Sequence, residues 1–150
     1  MTNKTEQATF AAGCFWHVQY TFDKEPGIIS SIVGYAGGQG VPNYETAEEK
    51  GFAEAIQIKY DPKIISYGKL LEIFWDEHDP TSLNRQGVDV GKRYRSAIFY
   101  HNEKQKSLAQ KSKKEKQIDF NRPIVTQIVK AEKFYSAEEY HQKYFQKHGE

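Results

Sequence analysis

Ala53-Glu54-Ala55-Ile56-Gln57-Ile58-Lys59-Tyr60 is the stretch on which the fold turns. Ile56, Ile58 and Tyr60 share one face and Gln57 and Lys59 take the other, the two-residue period of a half-buried strand. Asp61-Pro62 ends it. Upstream, the β-branched run from Ile28 to Tyr35 predicts a strand, stopped by Gly37-Gly38. Gly37 to Lys50 reads as a loop. Before Ile28, Phe15, Val18 and Phe22 recur at helical spacing, which predicts a helix over 15–25 closed by Pro26-Gly27. Ala8 to Gly13 predicts a short strand of small residues, suited to a crowded central position, and residues 1–7 a flexible tail.

Downstream, Ser66 caps a helix whose Tyr67, Leu70, Leu71 and Phe74 form one apolar stripe. His78 to Lys92 reads as a long loop of the kind that is functional or mobile. Tyr94 to His101 predicts another strand. The order strand, helix, strand, strand, helix, strand therefore occupies residues 8–101. It predicts an α+β fold: a two-layer sandwich with a ferredoxin-like βαββαβ core and a C-terminal extension. In that extension Asn102-x-x-Gln105 is a capping box opening a lysine-rich surface helix to about Lys116. Ile124 to Lys130 predicts a strand, and Ser136-x-x-Glu139 a second capping box before a short helix through Tyr140 and Tyr144. One domain is expected over 1–150, without internal repeats.

Composition narrows the function. The 21 basic and 20 acidic residues leave a formal net charge of +1, which argues against broad electrostatic binding to nucleic acid or acidic membranes. No apolar run reaches the roughly 18 residues of a membrane span. Met1-Thr2-Asn3-Lys4-Thr5-Glu6-Gln7 carries no apolar signal segment. With a single cysteine, these features predict a protein of the reducing cytoplasm.

That cysteine, Cys14, can form no intramolecular disulfide and is too few for a thiolate metal cage. It is a nucleophile, a redox centre or a buried core residue. At a helix start, the unpaired N–H groups and the dipole favour thiolate, so a lowered pKa is expected. Glu54 alternates onto the apolar face. There burial would raise its pKa and make it a general acid; at an exposed strand end it would simply face solvent. Phe15 fits the helix's core stripe, whereas Trp16 falls off it and is placed to line an apolar pocket beside the sulfur. Tyr44 and Tyr94 are hydrogen-bond donors to a site or ordinary half-buried tyrosines. His17, His78, His101, His141 and His148 show no metal-ligand spacing and read as surface or core residues; no metal and no cofactor is expected.

Several motifs occur in one order: Gly13-Cys14-Phe15-Trp16, Gly34-Tyr35-Ala36-Gly37-Gly38, Asn43-Tyr44-Glu45, Ala53-Glu54-Ala55 and His78-Asp79-Pro80-Thr81. Leu83-Asn84-Arg85-Gln86-Gly87 follows, then Asp89, Gly91, Tyr94-Arg95-Ser96-Ala97-Ile98 and Ala137-Glu138-Glu139-Tyr140-His141-Gln142. The set, across residues 7–148, closely resembles the A-type peptide methionine sulfoxide reductases. The resemblance implies that Cys14 attacks the sulfoxide sulfur, Glu54 supplies the proton, and Tyr44 and Tyr94 hold the sulfoxide oxygen. It puts Phe15 and Trp16 around the substrate methyl group and Asp89 on the polar side. The implied substrate is the S epimer of methionine sulfoxide, free or in proteins, and the implied product on Cys14 is a sulfenic acid.

The chain departs from that pattern at His17, Gln19 and Phe52, where relatives commonly have Gly, Glu and His. It also lacks a second, resolving cysteine, which implies an external thiol partner: thioredoxin, or glutaredoxin with glutathione. Two competing readings are a non-catalytic binder of oxidised methionine and a one-cysteine thiol peroxidase.

Overall fold

The computed structural model describes residues 4–148. In chain order the elements are β1 (Glu6–Ala12), α1 (Phe15–Asp23), β2 (Ile28–Ala36), β3 (Ala53–Tyr60), α2 (Tyr67–Glu77), β4 (Arg85–Gln86), β5 (Asp89–Val90), β6 (Ser96–Tyr100), α3 (Glu103–Gln117), β7 (Gln127–Lys130), β8 (Tyr135–Ser136) and α4 (Tyr144–His148). Short 3₁₀ turns cover Lys92–Tyr94 and Glu139–His141. One sheet runs β7-β6-β1-β3-β2-β8. Its middle, β6-β1-β3-β2, is antiparallel at every step, which is the strand order of the ferredoxin-like core. The C-terminal extension supplies both edges, β7 parallel to β6 and β8 antiparallel to β2.

β3 has the bounds its alternation predicts, because it is central and its inner face is apolar apart from the buried Glu54. β1 starts earlier than expected. Glu6 and Gln7 pair with Tyr60 and Lys59, so the length of the partner strand overrides their polarity and the expected tail is shorter. Residues 1–3 of that tail lie outside the described residues. β6 starts later, and Tyr94 belongs to the 3₁₀ turn before it. β7 is also shorter than its apolar run: Val125 N donates to Pro80 O at 2.8 Å, which draws residues 124–126 out of the ladder. The loop after α2 contains the β4–β5 hairpin.

The second expected capping box fails. Ser136 pairs with Gly34, and Ala137 N donates to Val33 O at 2.9 Å, so sheet contacts take the backbone that a helix would have used. The approach is close: a Cβ on Gly34 would lie 2.1 Å from Tyr135 O. The first box holds in its cap, where Asn102 Oδ1 accepts from Gln105 N at 2.8 Å, but the Gln105 side chain reaches one residue further back: its Oε1 accepts from His101 N at 2.9 Å, and its Nε2 donates to Gln7 O at 2.7 Å. That buried glutamine anchors the otherwise lysine-covered α3 on β1. Ser66 Oγ likewise caps α2, accepting from Lys69 N at 3.0 Å.

The main core lies between the sheet and α1 and α2. Phe10 of β1 is 0% exposed, and its ring sits 5.6 Å from Phe22 and 5.2 Å from Phe74. It ties both helices to a central strand. Phe10→Ala is therefore expected to cost about 3–5 kcal/mol, the range for emptying a packed aromatic site. Urea unfolding would register it as a lower midpoint at unchanged slope. Among the described residues no helix is long and apolar enough to cross a membrane.

Candidate active site

Strand β1 delivers the chain to Gly13, whose φ of +94° makes the sharp turn that starts α1. A Cβ there would lie 2.9 Å from the Gln86 side chain, so the hairpin can close over this corner only with glycine in place. Cys14 is the N-cap residue, extended, with its carbonyl accepting from Val18 N at 3.4 Å. Its side chain keeps partial exposure. The expected fall in thiol pKa does not occur: burial pushes it up, to about 11. The backbone N–H groups of Trp16 and His17 pull downward, as a helix start should, but desolvation is larger, and the charges of Glu54 and Asp89 add to it.

Glu54 points inward from β3 and is 2% exposed. Its Oε1 accepts from the backbone N–H of Phe15 at 3.3 Å, which places the carboxyl group one residue from the thiol. Its Oε2 accepts from Arg93 Nε at 3.0 Å. Burial raises the carboxyl pKa to about 7, against the Arg93 charge that lowers it. Glu54 is thus poised to hold or release a proton near neutrality.

Arg93 has no place among the candidates that the sequence offers. It lies in the 3₁₀ turn and donates from its terminal nitrogen to Tyr44 O at 2.6 Å. Its guanidinium stands 4.4 Å from the Tyr44 ring centre. A signal for it existed: a carboxylate on an apolar strand face demands a cation, and Arg93 adjoins Tyr94 in the matched motif run.

Tyr44 and Tyr94 flank this ion pair, and their phenols are held protonated, first by burial and next by the Glu54 charge. Asp89, on β5, contributes its charge to Cys14, Glu54 and Tyr94 alike. The polar residues singled out from sequence are therefore brought together around one corner.

The other side is aromatic. Phe15 is buried, 5.9 Å from the Tyr35 ring and 5.2 Å from His141. Trp16 is half-buried and stacks on Tyr144 at 3.8 Å with 9° between planes. Trp16 Nε1 donates to His141 Nδ1 at 3.0 Å. His141, expected to be an undistinguished surface or core residue, is 1% exposed and central to this cluster, 4.5 Å from the Tyr44 ring. Since Nδ1 accepts, the ring proton is assigned to Nε2, which has no hydrogen-bond partner among the described residues. Glu138 ties the same region together, accepting from Tyr35 OH at 2.8 Å and from Tyr44 N at 3.0 Å.

The three departures sit differently. Phe52 is buried against Tyr135, at 5.7 Å edge to face. His17 is exposed and meets Phe145 at 4.6 Å. Gln19 is fully buried.

Residues 6–150 match the family described as "Peptide methionine sulfoxide reductase". A protein of Methanosarcina acetivorans named "Peptide methionine sulfoxide reductase MsrA" is 53% identical over 149 residues, which covers 96% of this chain and 79% of that one. A Geobacter sulfurreducens protein of the same name is 50% identical, covering 96% and 92%. Among solved structures, Mxr1 of Saccharomyces cerevisiae in reduced form superposes with a TM-score of 0.92 at 35% identity, over 98% of this chain and 87% of that one. The same yeast protein in complex with Trx2 gives 0.68 at 32% identity, over 94% and 85%.

Proposed function

The chain belongs to the peptide methionine sulfoxide reductase family and has the MsrA-type activity on S-epimer methionine sulfoxide, and from that premise we propose how its residues divide the work. Cys14 is the nucleophile, and its sulfur attacks the sulfoxide sulfur. Glu54 protonates the departing oxygen, while Tyr44 and Tyr94 hold that oxygen by hydrogen bonds. Phe15 and Trp16 receive the methyl group, and Asp89 helps order the polar side. Arg93 positions Glu54 and the Tyr44 loop.

The residue types follow from the substrate. A sulfoxide joins a polar S–O bond to an apolar methyl group, so one side of its site must donate hydrogen bonds and the other must be greasy. Two electrons pass from Cys14 sulfur to the methionine sulfur. The oxygen and one proton end on Cys14 as a sulfenic acid, and methionine leaves as the thioether. An external thiol then condenses with the sulfenic acid, releasing water and forming a mixed disulfide. A second thiol restores Cys14 and leaves as the disulfide.

Within these 150 residues Cys14 has no second thiol to turn to. We assign the resolving role to an external thiol, thioredoxin or glutaredoxin with glutathione. The yeast relative solved with Trx2 favours the first. A reducing, cytoplasmic setting suits that chemistry.

The observation that carries this reading is the single Phe15 N–H contact that sets a near-neutral carboxyl group beside a partly exposed thiol. The test is one turnover on separated S and R epimers with no reductant present. The S epimer is expected to yield one equivalent of methionine and a protein heavier by one oxygen atom, sited at Cys14. Methionine formed with the protein mass unchanged refutes the scheme. Oxidation of Cys14 by peroxide but not by sulfoxide would favour the peroxidase reading instead.

A further inference from the structure

Gln19 is a fully buried polar side chain with no part in the chemistry above, and all its bonds run to the C-terminal turn and β2. Its Nε2 donates to Ser31 Oγ at 3.1 Å and to Ser31 O at 3.3 Å. Its Oε1 accepts from the backbone N–H of Lys143 at 2.7 Å. Ser31 Oγ donates to Asp23 Oδ1 at 2.6 Å, and Lys143 Nζ bonds both Asp23 and Ser31. Lys143 is held at a φ of +57°, a conformation that an L-residue adopts only when its surroundings impose it. On its other side Gln142 is fixed to Val33 by two side-chain bonds of 2.9 Å. The residue that emerges from this turn is Tyr144, which stacks on Trp16.

We propose that Gln19, with Ser31, Asp23 and Lys143, is a positioning latch that fixes Tyr144 over Trp16 and so sets the shape of the methyl-binding side of the pocket. The proposal rests on the reductase reading for its kinetic consequence but not for its structural one. The amide is essential to it. Glutamate at this position would keep the shape and the bond from Lys143 N, but it would turn two donated bonds at Ser31 into oxygen facing oxygen, beside the Asp23 carboxylate. Tyr144 would then lose its fixed seat, while Cys14, Glu54, Tyr44 and Tyr94 would keep theirs.

The experiment is Gln19→Glu, with Lys143→Gly as a second variant. Lys143→Gly keeps the positive φ and the backbone bond but removes both ammonium contacts. Gln19→Glu is expected to raise KM for methionine sulfoxide about tenfold with the single-turnover rate at saturation within about twofold. Lys143→Gly should shift KM the same way by less. The two tryptophans supply an internal control. Trp16 Nε1–H bonds His141, while Trp75 Nε1–H bonds Ser112 at 2.7 Å, away from the latch. In the indole region of an ¹H–¹⁵N spectrum the Trp16 signal should move in both variants and the Trp75 signal should not. An unmoved Trp16 signal overturns the latch, and so does movement of both signals together with a fall in rate at saturation, which would mean general damage to the fold. The spectrum needs no turnover. Inactive wild-type protein would therefore sink the reductase reading while leaving the latch to be decided by the Trp16 signal.

Discussion

Cys14→Ser is expected to abolish methionine sulfoxide reduction, with a loss of about 10⁴-fold or more, the scale on which removing a nucleophile acts. The substitution exchanges one heavy atom at a partly exposed position. Stability should hold within about 1 kcal/mol, so the loss would be chemical. Two separate properties vanish. The hydroxyl is a far weaker nucleophile than a thiolate. More basically, the two electrons that convert sulfoxide to thioether come from the Cys14 sulfur, and an oxygen in its place has no corresponding oxidised state to enter. A non-catalytic binder would behave differently: Cys14→Ser would still bind methionine sulfoxide, and wild type would release it unchanged. Counting methionine formed per protein chain in a single turnover, alongside a thermal unfolding curve, decides the matter. Product from the serine variant at more than about a hundredth of the wild-type rate would remove Cys14 from the mechanism, because no such residue can supply the electrons.

What was legible in the chain divides by physical cause. Wherever a local pattern and the tertiary environment agree, pattern and structure coincide: the alternation of β3, the apolar stripe of α2, and the Ser66 and Asn102 caps. The same alternation puts Glu54 inside, on the face of Ile56 and Ile58. Where pairing partners decide, local pattern misleads. Glu6 and Gln7 look like a tail yet pair with β3, and Ser136 looks like a cap yet serves as a strand. The site shows a third kind of limit. Arg93 and His141 matter through contacts across 39 and 125 positions of chain, to Glu54 and Trp16, which no window of sequence contains. The thiol pKa failed for a quantitative reason. Helix-start N–H groups and burial act in opposite directions on one sulfur, and a motif gives the sign of each but not which is larger.

Glu54→Gln is expected to lower kcat/KM for the sulfoxide step by about 10²- to 10³-fold, the joint effect of losing a general acid and an oriented donor. The pH dependence identifies the cause. The reactive arrangement is thiolate beside neutral carboxyl, which is one proton shared by the Cys14–Glu54 pair. Cys14 titrates at about 11 and Glu54 at about 7, so the pair holds two protons below about 7, one proton between these values and none above. Wild-type kcat/KM should therefore rise with pH up to about 7 and run level above it. The break belongs to Glu54, whatever fraction of the one-proton form has the proton on the productive side. In Glu54→Gln the break near 7 must vanish, since the amide does not titrate. Arg93→Met supplies the complementary shift. The Arg93 charge holds the carboxyl pKa down, so its removal lets burial push that pKa higher, and the break should move to more alkaline pH. The measurement is pre-steady-state methionine formation from pH 5 to 9 for the three proteins. A break that persists near 7 in Glu54→Gln, or that moves toward acid in Arg93→Met, would show that another group supplies the proton and that the buried carboxylate serves only to hold Arg93 and the Phe15 backbone in place.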